Sequence, residues 1–225
     1  MGQTIGFGRL PFLLSPDNAV YGVLLNYRVE WDRWESRMHS DPYRQPPVAP
    51  VLYLRPRNTW IGNGDDISLP PGVEQVKVSG TLGVVFGSEA CRVAAADALD
   101  YVAGYAIVHD VSISHDSYYR PALRERCRDG FCAIGPLAER KAIVNPNLVE
   151  IQTAVNDSAG ASVNTKSLVR PIERLIADIT EFLTFGPGDM LLVGEHPDAP
   201  LVRAGDVVRT EIAGVAALEN RVVRS

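Results

Sequence analysis

The sequence predicts a β-rich α+β protein, and three observations carry that prediction. The stretch 78–87, VSGTLGVVFG, alternates with the period of two that a strand imposes. Short apolar runs recur along the chain, bounded by glycine, proline and asparagine. Helical spacing is confined to two or three segments, clearest at 165–185. Strands with a few peripheral helices set among them make an α+β architecture.

Taken in order, AVYGVLL (19–25) reads as a first buried strand. Val29, Trp31, Trp34 and Met38 follow at roughly helical spacing, as packing residues of a docked helix or as a cover. The proline-rich SDPYRQPPVAP then separates this piece from the rest, so the chain divides into an amino-terminal strand and lid-like helical segment (1–48) and a main domain (49–225). VLYLRP (51–56) is a short strand stopped by proline, and NGDDISLPPGVEQ is a turn-rich loop. In the alternating strand, Val78, Gly80, Leu82, Val84 and Phe86 share one face; Lys77, Ser79, Thr81, Gly83 and Val85 share the other. A helix at 94–102 and a strand at 104–113 come next, then a hairpin turning near Asn156–Gly160. In the 165–185 helix Pro171 suits the first turn, and Ile172, Leu175, Ile176, Ile179, Phe182 and Leu183 form one apolar stripe. MLLVG is a buried strand, and the last twenty or so residues are a pair of strands around a short turn.

Composition narrows the partners. The 225 residues are 46% hydrophobic and 22% charged with a net charge of -5, an ordinary globular balance with no basic stripe for nucleic acid. No apolar run is long enough to span a bilayer. The amino terminus has no basic leader ahead of a long apolar core, so no signal peptide is expected; Gly6 stands where myristoylation prefers Ser or Thr. Three cysteines without a CxxC pair suit reduced thiols in the cytoplasm better than a disulfide framework or a structural zinc site.

The candidate chemistry is concentrated in YYRPALRERCRDGFCAIGP (118–136). Arg120, Arg124, Arg126 and Arg128 fall within nine residues, with Asp129 following, and planar guanidiniums suit an anionic substrate. The alternative is a solvated loop whose arginines pair with Glu125 and Asp129. Arg126→Ala is expected to abolish binding of a dicarboxylate while leaving the melting temperature largely intact; unchanged binding would leave the solvated loop standing. Asp110 ends an apolar strand as a candidate ligand, base or turn cap; His109 points to the opposite face, and His115 is in the loop beyond. His39 and His196 have no evident partners, and Cys127 and Cys132 read as buried thiols rather than nucleophiles.

Seven strings, RPRNTWIGNG, LGVVFG, DALDYVAGYAIVHDVS, CRDGFCAIGP, NTKSLV, FGPGDMLLVG and AGDVVRTEIAGVAALENRVV, occur in the order seen in the fumarylacetoacetate hydrolase family. The chain resembles that family from about Tyr21 to its end. The resemblance implies a β-sandwich or roll core with the active site at one end, in a cytoplasmic protein. It also implies a decarboxylase/isomerase-type activity of 4-hydroxyphenylacetate (homoprotocatechuate) catabolism on an unsaturated 2-oxo or 2-hydroxy dicarboxylate. Relatives use magnesium or manganese held by a Glu-x-Glu pair and an aspartate, a hard-cation site of anionic oxygens.

Set against that pattern, the Glu-x-Glu positions fall on Ser79 and Thr81, and the third ligand survives as Asp110. The family lysine falls on Arg126. The lid's histidine and glutamate fall on Glu30 and Arg33, and the threonines of a TGTP turn fall on Val193 and Glu195. The resemblance therefore implies a degenerate metal site and no cofactor. It gives Arg126, Asp110, Glu30 and His115 as catalytic candidates. Arg55, Arg124, Arg128, Asp129, Asn164 and Thr165 are the candidates for substrate binding. A homodimer, or a heteromer with a metal-bearing paralogue, is the expected assembly. The alternatives are a silent or regulatory subunit of such a pair and a metal-free small-molecule binder.

Overall fold

The computed structural model describes residues 15, 17–156 and 158–225, so the expectations about the amino-terminal leader lie outside the described residues. Its strands are β1 (Val20–Leu24), β2 (Val51–Leu54), β3 (Trp60–Ile61), β4 (Asp66–Leu69), β5 (Val76–Phe86), β6 (Val102–Ser112), β7 (Cys132–Ile134), β8 (Ala138–Glu139), β9 (Glu150–Val155), β10 (Ser158–Asn164), β11 (Met190–Leu192), β12 (Leu201–Val202), β13 (Val207–Ile212) and β14 (Val215–Arg224). The α-helices are α1 (Arg28–Met38), α2 (Leu123–Arg126) and α3 (Ile172–Thr180).

The long β5–β6 antiparallel pair is the axis of the large sheet, whose order is β2-β1-β11-β5-β6-β7-β3, with β12 and β8 flanking it. The amino-terminal strand β1 lies within this sheet, antiparallel to β2 and parallel to β11. The smaller sheet runs β10-β9-β13-β14-β4 and packs across β5 and β6. Both faces of β5 are therefore covered, and every residue from Val78 to Phe86 is buried. A strand buried on both faces would ordinarily be apolar throughout. Polar residues survive here because each has a partner.

The sheets meet closely at Gly80, where a Cβ would stand 2.2 Å from the Thr153 hydroxyl and 2.6 Å from that of Thr210. Beside it His109 is fully buried and joins the two sheets. Its Nδ1–H donates to the Asn220 side-chain oxygen at 2.9 Å, and its Nε2 accepts from the Thr210 hydroxyl at 2.9 Å. The tautomer follows from Asn220, whose amide nitrogen is already donating to the carbonyls of Gly62 and Asp65.

Burial pulls the His109 imidazole down to about 4 from its ordinary 6.5. A base with a depressed folded-state value stabilises fully above 6.5 and loses that contribution as pH falls through about 4. Denaturation of wild type and His109→Gln between those limits should show the wild type losing roughly 3 kcal/mol more than the variant. Parallel pH dependences would refute the assignment.

Three elements differ from the sequence expectation. The 63–75 loop contains β4, which gains its hydrogen bonds from β14, a partner some 150 residues away and invisible to a local window. The 94–102 helix is a 3-10 segment, Ala95–Tyr101. The 165–185 helix is shorter: Thr165–Ser167 is 3-10, Pro171 caps α3, and α3 ends at Thr180. The residue before a proline avoids helical geometry, which divides the segment there. Ile172, Leu175, Ile176 and Ile179 are buried as expected, whereas Phe182 lies past the helix and is 63% exposed.

Candidate active site

The β5–β6 register sets Ser79 opposite Asp110, and Lys77 opposite Ser112, on the face turned away from the small sheet. The two hydroxyls bind the loop that follows β11. Ser79 Oγ accepts from the His196 amide at 2.7 Å, and Thr81 Oγ1 donates to the Gly194 carbonyl at 2.7 Å. That loop thereby carries Glu195 into the site.

Asp110 has no exposed side-chain surface and is surrounded by donors. Arg55, equally buried, forms an ion pair with one carboxylate oxygen. The Tyr53 hydroxyl donates to the other, and Arg126 Nη1 stands 3.5 Å from it. Tyr53 reaches across because Gly22 has no side chain; a Cβ there would collide with its ring at 2.1 Å. Arg126 continues the chain of charges: its Nη2 donates to Glu195 Oε2 at 2.5 Å, and Lys77 Nζ lies 3.1 Å from Glu195 Oε1. The ladder Arg55, Asp110, Arg126, Glu195, Lys77 thus sets three cations against two carboxylates.

The groups around the ladder take different protonation states. Burial pushes the Glu195 carboxyl up, but Arg126 and Lys77 outweigh it and hold it down at about 2. Glu30, on the first turn of α1, is pushed up to about 7 by burial and by the Glu195 charge. Its Oε2 accepts from the Leu25 amide at 3.2 Å. His115 accepts from Arg126 Nε at 3.2 Å and donates Nδ1–H to the Ser117 carbonyl at 3.1 Å, so it is neutral. Burial and Arg126 both lower its affinity for a proton. Two carboxyls whose surroundings separate their pKa values are the usual material of proton transfer.

Glu30, Lys77, His115, Arg126 and Glu195 line one cavity of about 260 Å³, with Trp34 at its wall. Helix α1 is fastened over it. Arg33 donates to the Pro197 carbonyl and pairs with Asp198 at 2.8 Å, and Arg37 donates to the Asp116 carbonyl at 3.0 Å. Trp34 packs edge-on against Tyr118 at 4.9 Å, and Tyr118 stacks on Tyr43 at 4.2 Å. Of the apolar positions in α1 only Met38 is buried, which leaves Trp34 facing the cavity.

Four of the sequence candidates, Arg126, Asp110, Glu30 and His115, therefore meet. Arg55 joins them as the buried partner of Asp110 and does not line the cavity. Arg124, Arg128 and Asp129 also lie outside its wall: Arg128 Nε donates to the Arg124 carbonyl at 2.8 Å, and Asp129 accepts from Asn58 at 2.7 Å. Asn164 and Thr165 sit at the end of β10 in the small sheet. Asn164 caps the next turn, accepting from the Lys166 amide at 2.9 Å, while the Thr165 hydroxyl bridges Val149 and Pro146. Their fixed hydrogen bonds belong to the scaffold and bring neither side chain to the cavity.

Sequence reasoning assigned no role to Lys77 or Tyr53. Period-two alternation does put Lys77 on the face of Ser79 and Thr81, so its signal was present; Tyr53 had none. Burial pushes the Cys132 thiol up to about 12 and raises Cys127 as well, so neither is an activated nucleophile. The three cysteines are free.

Two curled sheets with a buried ion-pair ladder and a polar cavity under a helix define a small-molecule site on a β-rich scaffold. The chain belongs to the fumarylacetoacetate hydrolase family: residues 19–223 match the Fumarylacetoacetate (FAA) hydrolase C-terminal family. It is 39% identical over 205 residues to the 4-hydroxyphenylacetate degradation bifunctional isomerase/decarboxylase of Escherichia coli, covering 91% of this chain and 47% of that protein. The chain thus spans about half the length of the curated bifunctional relatives it matches. The fold is similar to 5-carboxymethyl-2-hydroxymuconate delta-isomerase from Mycobacterium smegmatis, with a TM-score of 0.79, 29% identity, and coverage of 95% of this chain and 80% of that one. It is similar in fold also to maleylpyruvate hydrolase from Sphingobium sp. SYK-6 in complex with manganese (II) ion and pyruvate. There the TM-score is 0.75 at 24% identity, over 92% of this chain and 70% of that one.

Proposed function

We propose that this chain is a metal-independent isomerase of the family's isomerase/decarboxylase kind, acting on an unsaturated 2-oxo dicarboxylate with Glu30 as the proton carrier. The observation that carries the reading is the ladder itself, in which guanidinium groups surround the one remaining ligand carboxylate. A magnesium or manganese ion needs several oxygens free to turn towards it. Here Asp110 is taken by Arg55, Tyr53 and Arg126, and the Ser79 and Thr81 hydroxyls are committed to the 194–196 backbone. These residues do not fit a divalent cation. Titration with magnesium or manganese in a calorimeter is expected to give no saturable heat; a one-to-one site of micromolar affinity would overturn this.

The reaction needs a sink for enolate charge and a group that moves one proton. Arg126 and Lys77 supply the sink, facing the cavity where a 2-oxo acid headgroup would lie. Ionised Glu30 takes a proton from the carbon beside the carbonyl, leaving an enolate delocalised over the unsaturated chain. Protonated Glu30 returns the proton at the far end of the conjugated system, shifting the double bond with no oxidant or co-reactant. In a substrate carrying a suitably placed carboxylate, the same sink takes the electron pair left when carbon dioxide departs.

A second reading is a subunit that works beside a metal-bearing paralogue, favoured by the match to 47% of a bifunctional relative. Turnover of an unsaturated 2-oxo dicarboxylate by the purified chain alone supports the first reading. Turnover only after mixing with such a paralogue supports the second. On both readings the protein works in the cytoplasm, away from nucleic acid and membranes. No helix among the described residues is long and apolar enough to cross a bilayer.

A further inference from the structure

The polar cavity does not end the site. A second cavity of about 360 Å³ adjoins it, and Leu24, Ser117, Tyr118 and Arg126 belong to both walls. Its volume falls in the range of roughly 300–1,000 Å³ typical of small-molecule clefts. Beyond Arg126 the wall is mostly hydrocarbon, including Leu52, Leu54, Tyr53 and Leu123. Among the described residues one further cation lines it, Arg120. Among the described residues Arg120 makes no ion pair or side-chain hydrogen bond. At the junction, Arg126 is 2% exposed and its Nη1 has no hydrogen-bond partner.

We infer that this second cavity seats the far half of the substrate and that Arg120 binds its second carboxylate. The inference rests on the isomerase reading for the reacting end and adds the residues that select the far end. A cation, an apolar stretch and a second cation are complementary to an acid with a carboxylate at each end and hydrocarbon between. A guanidinium fork matches a carboxylate with two parallel hydrogen bonds. The leucines strip water from the carbon chain, which stabilises it in proportion to the area covered. Arg126 is the last residue of α2 and Arg120 precedes that helix, so one short segment of chain carries both anchors.

The test is calorimetric binding of 2-oxoheptanedioate and 2-oxoheptanoate, which differ only in the far carboxylate, to the wild-type chain and to Arg120→Ala. The wild type is expected to hold the diacid about tenfold more tightly, the scale of one charge-assisted pair at a partly exposed site. In Arg120→Ala that preference should collapse towards one. Because Arg120 is exposed, the variant is expected to fold. Equal wild-type affinities, or a preference that survives in Arg120→Ala, would overturn the inference while leaving the Arg126 site standing. Binding of neither acid would remove both. A diacid preference that depends on Arg120, in a chain without turnover, would uphold the inference and sink the isomerase reading.

Discussion

Arg126→Ala is expected to lower the melting temperature and abolish activity together. The side chain lies between Asp110 and Glu195, at 3.5 Å and 2.5 Å, with all three side chains at 5% exposure or less. Removing Arg126 leaves Asp110 to Arg55 and Glu195 to Lys77 alone, two buried carboxylates with less compensation, and breaking a buried pair in this way costs about 3–5 kcal/mol. For a chain of this length each kcal/mol moves the midpoint by roughly 2–4 °C, so a fall on the order of 10 °C is expected. This reverses the sequence-based expectation of a loop arginine that could be deleted without thermal cost. Arg126→Lys should recover part of the stability, because an ammonium restores charge, but little turnover, because it lacks the fork that spans two carboxylates. Thermal melts and steady-state rates on the two variants decide it, and an Arg126→Ala midpoint within a degree of wild type would be fatal to this account of the ladder.

Glu30→Gln should do the opposite to stability. As the proton carrier, Glu30 is expected to contribute roughly 100- to 10,000-fold to turnover, so the amide should lose a factor in that range. In the wild type, kcat/KM should rise with pH and level off above about 7, where the carboxyl ionises in the free protein. Its folded-state value is raised from 4.5, so its contribution to stability is full below 4.5 and is lost as pH rises through about 7. Glutamine carries no such penalty, and above that pH the variant should be more stable than wild type by roughly 1–3 kcal/mol. A gain in stability paired with a loss of rate is the mark of a group kept for chemistry. An unchanged rate, or a variant whose stability keeps the wild-type pH dependence, would assign the proton to another group.

The Ser79–Thr81 strand shows how far the sequence can be read. Alternation alone placed the two hydroxyls and Lys77 on one face, and the register set Asp110 beside Ser79. What the hydroxyls do was not legible, because their partners are the Gly194 carbonyl and the His196 amide, more than 100 residues away. The same holds for Arg55. Its segment matched a family string, yet its burial against Asp110 depends on β1 and β2 docking beside β11. Asn164 and Thr165 were legible as part of a motif, but their hydrogen bonds belong to the small sheet.

By itself the sequence determined the strand-rich class, the faces of β5 and β6 with the Ser79 and Thr81 hydroxyls on one of them, and the family. All of these rest on local periodicity or on which residue occupies a position. The tertiary structure alone decided that guanidinium groups fill the surroundings of Asp110, that Glu30 is held near neutrality and Glu195 is kept ionised, and that a second cavity continues past Arg126. Those properties depend on charges brought together across the sheet and on the water excluded between them, and neither quantity is written in the order of residues along one strand.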